Sequence, residues 1–263
     1  MAIGARVWFG ATALVVAVAL IVQVRAVAQL DSGFFDTDAK RIANIACFFT
    51  IWSNVLVGIT SGLLALRLDR RSRVFRTAYL TAVLMIVVTF VVVIVALDPI
   101  TRYEGKAAAA DFLTHKLVPV LALAGWIVFG PRGMVDKEVA RATIVVPLVW
   151  IGFTLARGPL AGDYYPYPFV DVDELGYLRV LANVVVITAL FLGLGAAASW
   201  ADRRLPARLP THAAAGPTPT PPPTHPNPPR VPRIRRPWGP PSPTSSATTS
   251  ASPRRSSSTG PTR

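Results

Sequence analysis

The chain has 263 residues, 52% of them hydrophobic, with a mean hydropathy of +0.46 and a formal net charge of +13. The two properties sit in different places: residues 1–200 carry 17 Lys/Arg against 13 Asp/Glu, a surplus of 4, whereas residues 201–263 carry 10 Arg against one Asp, a surplus of 9. The basic pI is therefore chiefly a property of the tail, and the single cysteine, Cys47, excludes an intramolecular disulfide and a Cys-based zinc site.

A membrane helix needs roughly 20 mostly apolar residues, each rising about 1.5 Å across a hydrocarbon core about 30 Å thick. In chain order the first such stretch is 5–28. Its Ala26-Val27-Ala28 also resembles a signal-peptide cleavage site. The long apolar core and the nearby Arg25 favour a retained helix, and cleavage would leave five spans. The second stretch, 45–66, contains Cys47, read as a small buried hydrophobe, and Thr50, Ser53 and Asn54. Thr50 and Asn54 are four apart and share a face that continues through Gly58, Ser61 and Gly62, a small polar stripe on which another helix can pack closely.

The third stretch, 78–97, is nearly solid Val, Ile and Leu; its length and lack of alternation make it a helix rather than a strand. The fourth, 112–130, opens with His115, the only histidine outside the tail, one turn after Asp111. That spacing lets the carboxylate accept a hydrogen bond from the ring and fix its tautomer. A lone interfacial histidine can equally be a wetted polar residue. The fifth stretch, 142–157, is short and carries Pro147, which predicts a kink, and the sixth is 178–199.

Basic residues cluster at Arg6, at Arg67 to Arg76, at Arg132 to Arg141 and in the tail, and the intervening loops are acidic or poor in basic residues. Since basic loops stay in the cytoplasm, both termini are expected there, in a multi-pass protein of the cell membrane. The tail from 201 onward is rich in Pro, Arg, Ser and Thr and is expected to be disordered. Its arginines fit contact with anionic lipid. One aromatic residue, Trp238, is too few for a base-stacking platform, so nucleic acid is not an expected partner. The expected fold is thus all-α: a polytopic bundle of about six transmembrane helices over 1–200 and a disordered tail over 201–263.

Polar residues inside a span are costly and point inward, which singles out Thr50, Asn54 and His115. Rise per residue from the outer helix ends places Thr50 and His115 within roughly 10 Å of the outer boundary. The segments Phe49-Thr50-Ile51-Trp52-Ser53-Asn54, His115-Lys116-Leu117-Val118-Pro119, Phe129-Gly130-Pro131-Arg132-Gly133 and Tyr165-Pro166-Tyr167-Pro168-Phe169 resemble the actinobacterial six-span "Pr-six-Pr" membrane proteins, over about 40–200. These are distantly similar to the androgen-induced and androgen-dependent membrane threonine hydrolases of animals, which cleave fatty acid esters of hydroxy fatty acids. The resemblance implies a lipid-ester hydrolase with Thr50 as nucleophile and His115 as base. Asn54 and Asp111 are expected in support, Asn54 as a donor to the developing oxyanion. Bacterial relatives often carry an acid before the tryptophan of the fourth span, where this chain has Gly125-Trp126. No cofactor or metal is implied, and the expected partners are the bilayer and an acyl-ester lipid. The alternatives are a small-solute transporter, disfavoured by nearly uncharged span centres, and a non-catalytic scaffold recruiting partners through its basic tail.

Overall fold

The computed structural model describes residues 1–28 and 34–206. Among them the regular structure is helical, and six helices are long and apolar enough to cross a membrane: Ala2–Ala28, Phe49–Leu66, Arg73–Leu97, Gly105–Phe129, Lys137–Arg157 and Val172–Arg204. The protein is a polytopic membrane helix bundle. The tail expected to be disordered lies, from residue 207 on, outside the described residues, and the last helix continues to Arg204, past the boundary expected at 200.

The first span is α1 (Ala2–Ala28), followed by the short amphipathic α2 (Asp38–Ile45) and the second span, α3 (Phe49–Leu66). The third span is α4 (Arg73–Val92), which continues as a π-helical turn over Val93–Leu97. The fourth span has three parts: α5 (Gly105–Asp111), a π-helical turn over Phe112–Leu117, and α6 (Val118–Phe129). The fifth is α7 (Lys137–Ala142) and α8 (Val145–Arg157), and the sixth is α9 (Val172–Arg204). The two π turns share a cause. Pro99 and Pro119 follow them closely, and a proline can neither donate to the carbonyl four residues back nor avoid crowding it, so the turn before it widens.

The break in the fifth span falls at Thr143 and Ile144, between α7 and α8, just before Pro147. In α9 the backbone departs from helix at Gly176 (φ 72°, ψ 156°), a conformation natural only to glycine. The helix starts firmly because the Asp171 side chain accepts hydrogen bonds from the amides of Asp173 and Glu174 at 3.0 and 3.1 Å.

Helix α1 packs antiparallel on α3, the most extensive pairing in the bundle. Its buried face is Ala5, Phe9, Thr12, Val16 and Ala19, spaced alternately by four and three as a helix seam requires. The small stripe of α3 receives this seam: Gly58 lies against Val16 and Gly62 against Ala13. The stripe therefore divides its work. Its glycines admit α1, and Thr50 and Asn54, nearer its start, turn toward the fourth span. Helix α4 is buried without interruption from Tyr79 to Ile86, as expected of a helix apolar all round.

Successive connections alternate between the two ends of the bundle. At one end Arg76 donates to the Met134 carbonyl at 2.8 Å, Arg73 pairs with Glu138, and buried Asp202 accepts the amides of Met134 and Val135 at 3.0 Å. At the other end Arg157 donates to Asn44 at 3.1 Å and Lys116 pairs with Asp98 at 3.3 Å. The first end gathers Arg67–Arg76, Arg132–Arg141 and Arg203–Arg204; the second gathers most of the carboxylates.

Candidate active site

Thr50 lies in the first turn of α3. The residue before that helix, Phe48, is extended and offers no side-chain cap, so the first amides of the helix must find other partners. The amide of Thr50 donates to the hydroxyl of Tyr167 at 3.3 Å. Thr50 is 5% exposed, and its Oγ1 is 3.0 Å from His115 Nε2 and 3.1 Å from Tyr167 Oη.

His115 sits on the π turn. Its Nδ1 is 2.7 Å from Asp111 Oδ1, and the other carboxylate oxygen accepts from Lys116 Nζ at 2.7 Å. Lys116 also reaches Asp98, tying the π turn to the end of the third span. In the tautomer whose Nδ1–H donates to Asp111, Nε2 is the acceptor facing the Thr50 hydroxyl. The four groups form a chain, Asp111–His115–Thr50–Tyr167, drawn from three separate parts of the sequence.

Asn54 lies one turn deeper, but its amide is already used. Nδ2 donates to the carbonyls of Thr50 at 2.8 Å and Thr114 at 3.2 Å. It clips α3 to the turn carrying His115, and both carbonyls it meets belong to the backbone beside the Thr50–His115 contact. Ser53 adds a second brace, donating to the Thr50 carbonyl at 2.9 Å and meeting Thr89 Oγ1 at 3.2 Å.

Tyr167 is the group to which sequence reasoning gave no role. It is flanked by Pro166 and Pro168, and its ring is packed edge-on to Phe48 and Trp150 and stacked on Phe169 at 5.1 Å. Burial pushes its phenol up to about 12, so it remains a hydrogen-bond donor at neutral pH. The proline pair was a readable sign of a rigid loop. The direction of the hydroxyl was not, because it depends on how that loop folds back 117 residues away.

Two cavities meet at this chain. The wider, about 380 Å³, is bounded by the inner-facing residues of α1, the 97–103 segment and the π turn, with Gln23, Thr101, Tyr103, Asp111 and His115 among its polar lining. The narrower, about 70 Å³, is an apolar cleft among α3, α4, α8 and α9, walled by Val88, Val92, Leu148, Ile187 and Phe191. Thr50 and Tyr167 line both; His115 and Asp111 line only the wider.

The glycine at 125 is explained by its neighbour. A Cβ there would lie 2.7 Å from Trp8 Nε1, whose indole donates to the Leu121 carbonyl at 3.1 Å. Ten residues of helix, roughly 15 Å, separate Gly125 from His115, so a carboxylate at 125 would be remote from Thr50. Among the described residues no group of His, Cys, Asp and Glu could hold a metal ion. Comparison with protein-family models, curated proteins and solved structures finds no match to this chain.

Proposed function

We propose that the protein is an intramembrane hydrolase of lipid esters, related to the six-span family that its motifs resemble, with Thr50 as nucleophile and His115 as general base. The observation that carries this reading is the hydrogen-bonded sequence Asp111–His115–Thr50, at 2.7 and 3.0 Å, beside two cavities toward the carboxylate-rich end of the bundle. A hydroxyl attacks an ester at neutral pH only when a base within hydrogen-bond reach takes its proton, and that base acts best when a third group orients it.

The geometry supports the following chemistry. Thr50 Oγ1 forms a bond to the ester carbonyl carbon while its proton passes to His115 Nε2, and the carbonyl π pair moves onto the oxygen. Tyr167 Oη–H, freed from Thr50 Oγ1, is the donor placed to meet that oxyanion. As the pair returns, the carbon–oxygen bond to the alcohol breaks and His115 hands its proton to the departing alkoxide. Water then attacks the acyl-threonine, His115 accepts one of its protons and returns it to Thr50 Oγ1, and the carboxylic acid leaves. Asp111 stabilises the imidazolium formed in each half without taking the proton.

The charge separation between the two ends of the bundle supports an orientation with the arginine-rich end and both termini in the cytoplasm of a cell-membrane protein. The site then opens in the outer leaflet, and the tail lies beside anionic inner-leaflet lipid, with roughly 1 kcal/mol of attraction per basic residue near the surface.

The test is labelling with a lipid-tailed fluorophosphonate in reconstituted bilayers, alongside ester hydrolysis. Wild type should label and turn over; Thr50→Ala and His115→Ala should do neither, with spans still inserted. Undiminished hydrolysis by Thr50→Ala refutes the proposal.

A further inference from the structure

The cavities on either side of Thr50 are unequal in chemistry as well as in size. The wider has His115 and Asp111 in its wall, and the cleft has neither. In ester cleavage this difference fixes a direction. The base that takes the proton of the nucleophile must return it to the leaving oxygen, so that oxygen must depart on the side where the imidazole is. The acyl carbon, bonded to Thr50 Oγ1, then directs its chain to the other side.

Resting on the hydrolase reading above, we infer that the substrate lies in one sense only: the acyl chain in the apolar cleft among α3, α4, α8 and α9, and the alcohol in the wider cavity beside α1. The walls of the cleft therefore select the acyl chain, and those of the wider cavity select the alcohol. The linings agree with these tasks. The cleft is walled chiefly by apolar side chains, Val88, Val92, Ile187 and Phe191 among them, with Thr89, which already meets Ser53, and Thr188 as its further hydroxyls, so it rewards a hydrocarbon over an oxygenated group. It follows the third span from Val88 to Leu97, nine residues or roughly 13 Å of helix rise. One wall residue, Leu148, is 51% exposed on the bundle surface, which gives a chain lying in the bilayer a sideways route to the nucleophile. The wider cavity presents Gln23, Thr101 and Tyr103, partners for an alcohol carrying further oxygen atoms. Departure of the alcohol empties the space next to His115, where the second half of the reaction needs water. Thr50 and Tyr167 line both cavities, which puts the carbonyl carbon at their junction.

The experiment uses two graded ester series on the full-length protein in nanodiscs. One varies the acyl chain from acetyl to palmitoyl on a fixed p-nitrophenol; the other holds the acyl group at acetyl and enlarges the alcohol. Ile187→Trp narrows the cleft, and Val184→Phe is a second variant on the same wall should the first not fold. Either should lower the ratio of kcat/KM for palmitoyl over acetyl esters by roughly tenfold or more, without moving the ratio across the alcohol series. Ile100→Trp, in the wider cavity, should do the reverse. Exchange of the two effects would reverse the orientation and overturn the inference. So would an acyl-chain profile that neither cleft variant alters, and in both cases the hydrolase reading would stand. A wild-type protein that turns over neither series and does not label overturns that reading and this inference with it.

Discussion

The contact between α1 and α3 makes a prediction independent of any activity. A methyl group added at Gly58 would lie 2.9 Å from Val16 Cγ1 and 3.4 Å from Val16 Cβ. Val16 is 2% exposed, and a β-branched side chain in a helix has one strongly preferred rotamer, so it cannot swing aside. Alanine gains about 0.5–1 kcal/mol over glycine in helix propensity, whereas overpacking costs about 1–3 kcal/mol. Gly58→Ala should therefore destabilise the bundle by roughly 1–2 kcal/mol, against the propensity trend. Combining it with Val16→Ala removes the clashing methyls and should recover roughly 1 kcal/mol or more relative to the sum of the single changes. The assay is built into the chain. Cys47 is the only cysteine and is 5% exposed, so a thiol-reactive fluorophore reports unfolding in detergent. Gly58→Ala melting at or above the wild-type temperature, or strict additivity in the double variant, would refute this account of the α1–α3 seam.

Tyr167→Phe should lower kcat about a hundredfold with little change in KM, as loss of one preorganised oxyanion donor does, and should cost about 1 kcal/mol of stability by leaving the Thr50 amide without its partner; esterase kinetics and the same melt measure both. Asp111→Asn removes the charge that orients His115 and should reduce kcat by about 10²–10⁴-fold while leaving the fluorophosphonate pocket formed. For topology, with Cys47 changed to Ser, single cysteines at the exposed positions Asp36, Glu104 and Glu174 should react with an impermeant thiol reagent in intact cells, and those at Arg70 and Lys137 should not; the opposite pattern inverts the proposed orientation. Truncation after Leu205 should leave insertion and the melting temperature unchanged, read by membrane fractionation and the melt of Cys47.

The spans were legible because each is an apolar run of the length a bilayer demands, and the third, Tyr79 to Leu97, is legible from its composition alone. Their starts were not. α4 begins at Arg73 and the fourth span at Gly105, because short polar or alanine-rich stretches extend a helix beyond its apolar part. The spacing of Asp111 and His115 predicted a hydrogen bond, and the structure has one of 2.7 Å. It did not predict the π turn that carries the ring, whose cause is a proline four residues later. The depth estimate brought Thr50 and His115 to one level, but depth says nothing of azimuth, and only packing sets which faces meet. Asn54 was legible as a polar residue inside a span, but its partners, the backbone carbonyls of Thr50 and Thr114, were not. Tyr167 carries no periodic signal at all, since its place is fixed by loop closure rather than by a helix face.

The order in which the site's parts leave the ribosome has its own consequence. The wall contributed by Gln23, Ala26 and Val27 is made first, then Thr50, then His115 65 residues later, and Tyr167 only after the fifth span. A nascent chain with four spans made contains both Thr50 and His115 but not the phenol that meets Thr50 in the folded protein. Synthesis thus supplies the imidazole before the phenol, and Thr50 has its complete set of hydrogen-bond partners only once the segment between the fifth and sixth spans, which carries Tyr167, has been made.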